Sequence, residues 1–238
     1  MALALDAVLI DLDGTLMDTA PDLAAAANAM RAEFGMAALP TERIAAFVGK
    51  GADVLVHRAL TDDLAGRATE DDFAVGRRAF FAAYHRVNGD AAIVFDRVPQ
   101  ALALLREASL RLGCVTNKPR EFTVPLLDKV GLAPQFEVVV AGDDVREKKP
   151  HPALLLAACE RLRLPPARTL MIGDSVNDAL AAQAAGCPVL LVETGYNEGE
   201  SVHSLAGQPG VAAIVPTLFD AAQQVLRQLE RHASAPSR

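Results

Sequence analysis

The second half of the chain alternates short apolar runs with helix-forming stretches, and this alternation restricts the fold more than any other feature of the sequence. A first strand is predicted at 7–10. Further strands are predicted at 110–116, 136–141, 169–173, 188–192 and 213–215. The helices between them are predicted at 99–108, toward Val130, and at 152–162, 176–185 and 218–231. Strands that alternate with helices form βαβ units, so the sequence predicts an α/β fold with a doubly wound parallel sheet.

Residues 18–90 interrupt this alternation. Four helices are predicted there: one at 19–34, one that begins at 41, one at 52–60 and one that begins at 69. No strand is evident among them. Thr19 and Pro21 are typical of a helix start, and Asp22 would complement the helix dipole. Phe80 and Tyr84 recur at helical spacing with other aromatic residues, which indicates a small core. We therefore predict a helical domain at 18–90, inserted into a core formed by 1–17 and 91–238.

Composition bounds the class of protein. Hydrophobic residues make up 51% of the chain, enough for a large core without disulfides. A net charge of −7 argues against a nucleic-acid partner, and the three widely spaced cysteines are typical of reduced thiols in the cytoplasm. No apolar run is long enough to span a membrane, and residues 1–6 lack the basic start of a signal peptide. We expect a soluble cytoplasmic monomer or small homo-oligomer without nucleic-acid or membrane partners, and a frayed tail at 232–238.

Polar side chains capable of chemistry follow four of the predicted strands. They are Asp11 and Asp13, then Thr116, Asn117 and Lys118, then Lys148 and Lys149, and finally Asp174, Ser175 and Asp178. In a parallel sheet the carboxyl ends of the strands meet at one edge, where ligands bind. The four groups are therefore expected to lie close together.

Carboxylates, lysines and a hydroxyl at one sheet edge suit phosphoryl transfer. Asp11 and Asp174 offer the oxygen ligands that Mg²⁺ prefers. Asp11 would attack phosphorus and form an aspartyl-phosphate, while Asp13 would protonate the leaving oxygen and then activate water. Thr116 and Lys149 would stabilise the charge on the phosphoryl oxygens.

Each of these residues also has an ordinary structural explanation. A carboxylate at a strand end often caps a helix, and Asp178 could be a partner of the dipole in a first helical turn. Lys118 and Lys148 could be surface lysines. Gly14 would allow a tight backbone turn next to the phosphate. The occurrence of all four groups at successive strand ends is what favours a catalytic site.

The sequence resembles the haloacid dehalogenase superfamily in four motifs, in family order. They are Asp11-Leu12-Asp13-Gly14-Thr15-Leu16, Val115-Thr116-Asn117-Lys118-Pro119, Lys149-Pro150, and Gly173-Asp174-Ser175-Val176-Asn177-Asp178. This resemblance implies a Rossmann-like core and a mobile helical cap inserted after the first motif, where 18–90 lies.

The resemblance also implies roles for individual residues. Asp11 would be nucleophile and metal ligand, and Asp13 would be the acid/base, with its main-chain carbonyl on the metal. Asp174 would be a further metal ligand, supported by Asp178 through water. The phosphate would be bound by Thr116, Asn117 and Lys149, the last preferred over Lys148 because it directly precedes a proline. The implied cofactor is Mg²⁺.

Within the superfamily, the segments 47–55, 148–152 and 194–199 are similar to those of bacterial phosphoglycolate phosphatases. This likeness makes Gly49, Lys50 and Gly51 a turn that faces the substrate and closes over the site. Lys50 could meet a small carboxylate such as that of glycolate, or could simply be solvated. His151 could support the site or be incidental.

Two positions depart from the pattern of that group. A Pro-Gly turn is expected before the first core helix, where the chain has Asp96 and Arg97, and a glycine is expected at Ser109. Neither position carries chemistry.

The sequence predicts a Mg²⁺-dependent phosphatase acting on a small phosphomonoester, and the resemblance implies 2-phosphoglycolate above other substrates. The nearest alternative is a phosphosugar mutase like β-phosphoglucomutase, which uses the same aspartates. Phosphatases for sugar or amino-sugar phosphates, nucleotides or pyrophosphate also fit. A phosphonoacetaldehyde hydrolase with Lys50 as Schiff base, and a dehalogenase, are disfavoured by Asp13. A binding module without catalysis would be expected to have lost at least one chemical residue, and none is missing.

Overall fold

The structure is a computed structural model that describes residues 5–233. Most of the tail expected to fray, at 234–238, lies outside the described residues, as do residues 1–4. Within the described part, the last helix continues to Ala233, two residues past its predicted end. No helix of that part is long and apolar enough to cross a membrane.

Apart from β2 and β3, the described strands and helices follow the predicted order. The strands are β1 (Ala7–Ile10), β2 (Met17–Asp18), β3 (Ile93–Val94), β4 (Arg111–Val115), β5 (Val138–Val140), β6 (Thr169–Gly173), β7 (Val189–Val192) and β8 (Val211–Val215). The helices are α1 (Ala20–Glu33), α2 (Thr41–Ala45), α3 (Ala52–Thr61), α4 (Glu70–Val87), α5 (Val98–Glu107), α6 (Arg120–Lys129), α7 (Ala153–Leu162), α8 (Val176–Ala185) and α9 (Leu218–Ala233).

Six strands form one parallel sheet in the order β5-β4-β1-β6-β7-β8, which confirms the predicted α/β class. The central strand β1 pairs with β4 and β6, and its last residue, Ile10, is level with Cys114 and Ile172. The register therefore brings the residues that follow these three strands to one edge. Asp11, Thr116 and Asp174 leave the sheet there.

Both faces of the sheet are covered by helices. Val8 and Ile10 of β1 pack in one hydrophobic cluster, and Ala7 and Leu9 pack in the other. A strand buried on both faces reads as a continuous apolar run because alternate side chains point to opposite faces. Each large side chain buried in this way stabilises the fold by about 1.5–3 kcal/mol, which holds the sheet edge in place.

Helices α1 to α4 share a third hydrophobic cluster, separate from the two on the sheet. Phe80 and Tyr84 are fully buried in it, so the prediction that they form a core is confirmed. Phe122 of α6 joins the same cluster, with its ring centroid 4.6 Å from that of Tyr84. The helical insertion therefore packs directly against the main domain.

A short antiparallel ribbon of β2 and β3 joins the insertion to the core, and the sequence did not indicate it. Two-residue strands leave no periodic pattern to detect. Beside the ribbon, the Asp22 carboxylate accepts hydrogen bonds from the N–H groups of Gly89 (2.7 Å) and Ala91 (2.8 Å). Asp22 is buried and links the two ends of the insertion, a role beyond the expected one at the helix dipole.

Other expectations about local structure had mixed outcomes. Pro21 lies in the first turn of α1, as predicted, but the Thr19 side chain makes no cap hydrogen bond. Thr19 is the residue before the first turn, so the predicted helix start is confirmed, but its hydroxyl donates to Asp13 and not to the helix. Arg97 (φ 59°) and Ser109 (φ 62°) adopt left-handed backbone conformations, which explains why glycine is favoured at such turns.

Candidate active site

Asp11 and Lys149 form the centre of the site at the sheet edge. Lys149 Nζ lies 2.9 Å from Asp11 Oδ1 and 2.7 Å from Asp178 Oδ1. It also donates to the main-chain carbonyl of Val115 at 3.0 Å, and Lys149 is only 3% exposed. Asp11 Oδ1 additionally accepts from the N–H of Leu12 at 2.7 Å. These bonds hold the two charged groups in a fixed relation.

Asp174 and Asp178 are fixed from both sides. Asp174 Oδ1 accepts from the Thr15 hydroxyl at 2.9 Å, and its Oδ2 accepts from the N–H of Tyr196 at 3.1 Å. Asp178 Oδ2 accepts from the N–H and hydroxyl of Ser175, completing a capping box at the start of α8. Asp178 therefore caps a helix and also holds Lys149, so its structural and functional interpretations are compatible.

Two glycines allow loops to approach Asp174 closely. Gly14 has φ +85°, and a Cβ there would lie 2.7 Å from Asp174 Oδ2. A Cβ on Gly195 would lie 1.9 Å from the same oxygen. No side chain fits in either place without displacing the carboxylate. The predicted tight turn at Gly14 is confirmed.

Burial and crowding of negative charge shift the pKa values of these groups. Burial, together with the charge of Asp178, raises the pKa of Asp11 to about 7, although Lys149 opposes the shift. Burial, then the charges of Asp178 and Asp11, raises the pKa of Asp174 well above its ordinary value. Burial alone would lower the pKa of Lys149, but the two aspartates it contacts raise it. The protein alone therefore does not supply enough positive charge to neutralise these carboxylates.

The donor set fits a hard divalent cation. Ligand atoms of Asp11, Asp174 and Asp178 all lie within 4.8 Å of one another. When ionised, these three and Asp13 carry four negative charges, against two positive charges on Lys118 and Lys149. The remaining −2 equals the charge that Mg²⁺ would neutralise, and oxygen donors are the ligands it prefers.

A second aspartate–lysine pair faces the insertion. Asp13 Oδ1 accepts from the Thr19 hydroxyl at 2.6 Å and from Lys118 Nζ at 2.9 Å. Lys118 is 4% exposed, and its ammonium lies 4.9 Å from the ring centroid of Tyr84. Burial alone would lower the pKa of Lys118, but the Asp13 carboxylate raises it. The possibility of an ordinary surface lysine is therefore excluded for Lys118.

The turn at Gly49–Gly51 lies against the core. Asn117 Nδ2 donates to the carbonyls of Gly49 and Lys149, both at 2.8 Å, and Asn117 Oδ1 accepts from the N–H of Lys149. Because its amide is engaged at both ends, Asn117 joins the turn to the lysine loop. Any contact of Asn117 with phosphate must come from its main chain.

Lys50 points to a partner outside the centre of the site. Its Nζ lies 2.9 and 3.0 Å from the two carboxylate oxygens of Glu198. Arg58 of α3 binds the same carboxylate at 2.6 Å and also donates to the carbonyls of Phe47 and Leu64. Hydrogen bonds from Lys50 and Arg58 outweigh the effect of burial and lower the pKa of Glu198. This cluster ties the insertion to segment 194–199 of the core.

The structure brings most of the predicted residues together around one cleft. Its lining includes Asp11, Asp13, Thr116, Asn117, Asp174, Gly49 and Gly51, but not Lys50. Lys149 lies directly behind Asp11, whereas Lys148 packs beside Gly51. His151 is exposed, and its ring accepts a hydrogen bond from the N–H of Ala153. These contacts give no support to the suggestion that His151 assists the site.

Several residues that shape the site were not predicted from the sequence to contribute to it. Thr15 and Thr19 bind the carboxylates of Asp174 and Asp13, and Thr15 at least stood inside a recognised motif. Tyr196 donates its hydroxyl to Asp18 (2.6 Å) and accepts from the N–H groups of Thr19 and Ala20. The resemblance singled out segment 194–199 without showing which partners its side chains reach.

Comparisons with known proteins identify relatives of this chain. The sequence model of a family described as haloacid dehalogenase-like hydrolase matches residues 5–186. A phosphoglycolate phosphatase of Nitrosospira multiformis is 45% identical over 223 residues, covering 94% of this chain and 96% of that protein. One from Thiobacillus denitrificans is 43% identical over 229 residues, covering 94% and 97%. The crystal structure of a predicted phosphoglycolate phosphatase from Haemophilus somnus matches with a TM-score of 0.85 at 29% identity, covering 93% of this chain and 98% of that one.

Proposed function

The chain belongs to the haloacid dehalogenase-like hydrolases and is a phosphomonoester hydrolase, and from this premise we propose that its substrate is 2-phosphoglycolate. The observation that carries phosphoryl transfer is the buried arrangement of Asp11, Lys149 and Asp178, with Asp174 beside them. The relatives named as phosphoglycolate phosphatases over nearly the whole chain support this choice of substrate.

The proposed reaction has two displacements at phosphorus. An oxygen of Asp11 attacks phosphorus, the bond to the ester oxygen breaks, and the glycolate oxygen takes a proton from Asp13. Water then attacks the aspartyl-phosphate while Asp13 accepts its proton, and the bond between phosphorus and Asp11 breaks. The hydrogen bonds from Thr19 and Lys118 keep the Asp13 carboxyl in place for both steps. Lys149 stabilises the phosphoryl oxygens together with the Thr116 hydroxyl.

Asp11, Asp174 and the main-chain carbonyl of Asp13 would hold Mg²⁺, with Asp178 in support. When bound, the ion offsets the repulsion between the carboxylate of Asp11 and the phosphate. Asp178 would act mainly on Lys149 and on the N–H groups at the start of α8, because both its oxygens are already engaged.

We also propose that residues 18–90 act as a cap over this site. The hydrogen bond from Asn117 to Gly49 and the cluster around Glu198 support a closed position, in which the turn at Gly49–Gly51 covers the cleft. A closed cap excludes water during the first displacement and limits the size of the leaving group.

Phosphate release in the presence of Mg²⁺ tests the proposal. We expect 2-phosphoglycolate to give the largest kcat/KM in a panel with sugar phosphates, amino-sugar phosphates, nucleotides and pyrophosphate. Asp11→Asn is the control and should remove activity toward all of them. If 2-phosphoglycolate is among the poorest substrates, the assignment fails, and if a sugar phosphate isomer forms without phosphate release, the enzyme is a mutase instead.

A further inference from the structure

Lys118 is a buried cation that faces the cleft and is paired with one carboxylate of the protein. Its described contacts are one carboxylate oxygen of Asp13 and the side chain of Tyr84. An ammonium group has three donor hydrogens, so Lys118 keeps donor capacity for a further anion. At 4% exposure on the cleft wall, that anion would have to enter through the cleft.

The other lysine of the site is not free for that purpose. Lys149 Nζ already contacts Asp11, Asp178 and the carbonyl of Val115. Lys149 contacts the proposed nucleophile Asp11, whereas Lys118 lines the cleft beside the proposed acid Asp13. The nucleophile and the acid act on opposite ends of the bond that breaks, so Lys149 belongs to the side of the phosphoryl group and Lys118 to the side of the leaving group.

The distance from Lys118 to Asp13 identifies what reaches it. Asp13 donates its proton to the ester oxygen, so any group beside Asp13 also lies beside the atoms next to that oxygen. In 2-phosphoglycolate the carboxylate stands two bonds from the ester oxygen. With Lys118 Nζ 2.9 Å from Asp13 Oδ1, a carboxylate in that position falls within reach of the ammonium.

We propose that Lys118 determines specificity by binding the carboxylate of a small 2-phosphooxy acid. The proposal rests on the phosphatase function given above and names the group that selects its substrate. Tyr84 supports it by packing its ring against the ammonium and closing that wall of the cleft. Longer acids would place their carboxylate past Lys118, and neutral esters would leave the ammonium without a second anion.

Lys50 is the competing candidate, because its turn covers the cleft. Its ammonium is instead bound by both oxygens of Glu198, which Arg58 also holds. To meet a carboxylate in the cleft, Lys50 would have to leave that partner. Lys118 needs no such exchange.

The test compares two substrates that differ only in the carboxylate. The ratio of kcat/KM for 2-phosphoglycolate to kcat/KM for ethyl phosphate, which has a methyl group in its place, is measured in the wild type, Lys118→Met and Lys50→Met. We expect the ratio to fall by about 30-fold or more in Lys118→Met, because the loss of a charge-assisted hydrogen bond lowers affinity by a factor of this size. In Lys50→Met the ratio should stay within about threefold of the wild-type value.

The ratio separates specificity from a merely structural role. Should Lys118→Met lower kcat/KM equally for both substrates, Lys118 only positions Asp13 and the proposal is overturned. A collapse of the ratio in Lys50→Met alone would overturn it as well. Lys118→Gln, which keeps a donor for Asp13 without the charge, gives the same test if the methionine variant does not fold.

The same measurements distinguish a failure of this inference from a failure of the substrate assignment. If the wild type prefers another acid, such as 2-phospholactate, the choice of 2-phosphoglycolate fails. The role of Lys118 is then tested in the same way, by the ratio of kcat/KM for that acid to kcat/KM for the ester with a methyl group in place of its carboxylate. A wild type that shows no preference for acids over neutral esters contradicts the role of Lys118. If 2-phosphoglycolate is the best substrate but the ratio survives in Lys118→Met, only the present inference fails.

Discussion

The two sides of the cleft are built in different ways. The inner side, formed by Asp11, Lys149, Asp174 and Asp178, is buried and fixed largely by main-chain groups at the ends of central strands. The outer side is the turn at Gly49–Gly51, which is held to segment 194–199 of the core by side-chain ion pairs such as Lys50–Glu198. The groups that react are thus on rigid elements, and the turn that covers the cleft is held by contacts that can break locally.

The largest expected effect is on the inner side. Asp11→Asn removes the nucleophile, and we expect kcat for phosphate release to fall by at least about 10⁴-fold. Because asparagine retains the shape and relieves the crowding of carboxylates, the melting temperature should change little. Activity that survives this substitution in purified protein would mean that Asp11 is not the nucleophile.

Lys149→Met tests whether the inner side depends on a single cation. Removing one partner of a buried ion pair leaves Asp11 and Asp178 uncompensated, and we expect the free energy of unfolding to fall by about 3 kcal/mol. Urea denaturation at pH 8 measures it. The matched control is Lys118→Met, where Asp13 keeps its bond from Thr19, so the loss of stability should be smaller. Equal losses would show that the inner side does not depend on Lys149 in particular.

The binding of Mg²⁺ should depend on pH through the inner carboxyl groups. A carboxyl group whose pKa is raised by folding binds more protons in the folded protein, so without metal its contribution to stability is lost as pH rises from about 4 toward about 7. Metal must displace these protons, so its apparent affinity should fall by about tenfold or more per pH unit below 7.

Thermal unfolding with and without Mg²⁺ at pH 5.5, 6.5 and 8 measures this dependence. The increase in melting temperature caused by Mg²⁺ should be largest at pH 8 and smallest at pH 5.5. An increase that does not vary with pH would show that Asp11 and Asp174 are already ionised without metal.

The smallest effect is expected for the outer side. Glu198→Gln removes the charge that Lys50 and Arg58 share, which weakens the closed position of the cap while leaving the inner side intact. We expect KM to rise by about three- to tenfold with kcat changed less. Asp53→Asn, which breaks the exposed pair with Arg77 within the cap, is the control and should change neither constant. A large fall in kcat in Glu198→Gln would mean that segment 194–199 contributes to the chemical step.

Most of the inner side could be predicted from the sequence. Asp11 follows an apolar run that is buried on both faces, and parallel register then places Asp174 beside it without further information. The partners of these residues were harder to predict. Thr19 looks like a helix cap locally, but its hydroxyl binds Asp13 because the chain turns back on itself between Leu12 and Met17.

The outer side depends on contacts between residues far apart in the chain, which leave no local pattern. Glu198 meets Arg58 across 140 residues, and nothing near either one in sequence indicates the other. Lys50 seemed free for the substrate for the same reason, since its partner lies in a distant loop. Whether Lys50 also contacts substrate stays a prediction, as do the boundaries of the cap at 18 and 90.

The ribbon of β2 and β3 has a mechanical consequence for the cap. The chain enters and leaves the cap side by side, and Asp22 clamps the departing segment at Gly89 and Ala91. Two paired tethers act as one pivot, so we expect the proposed cap to rotate about the ribbon and not to slide across the core. A cross-link between β2 and β3 should therefore leave phosphate release intact.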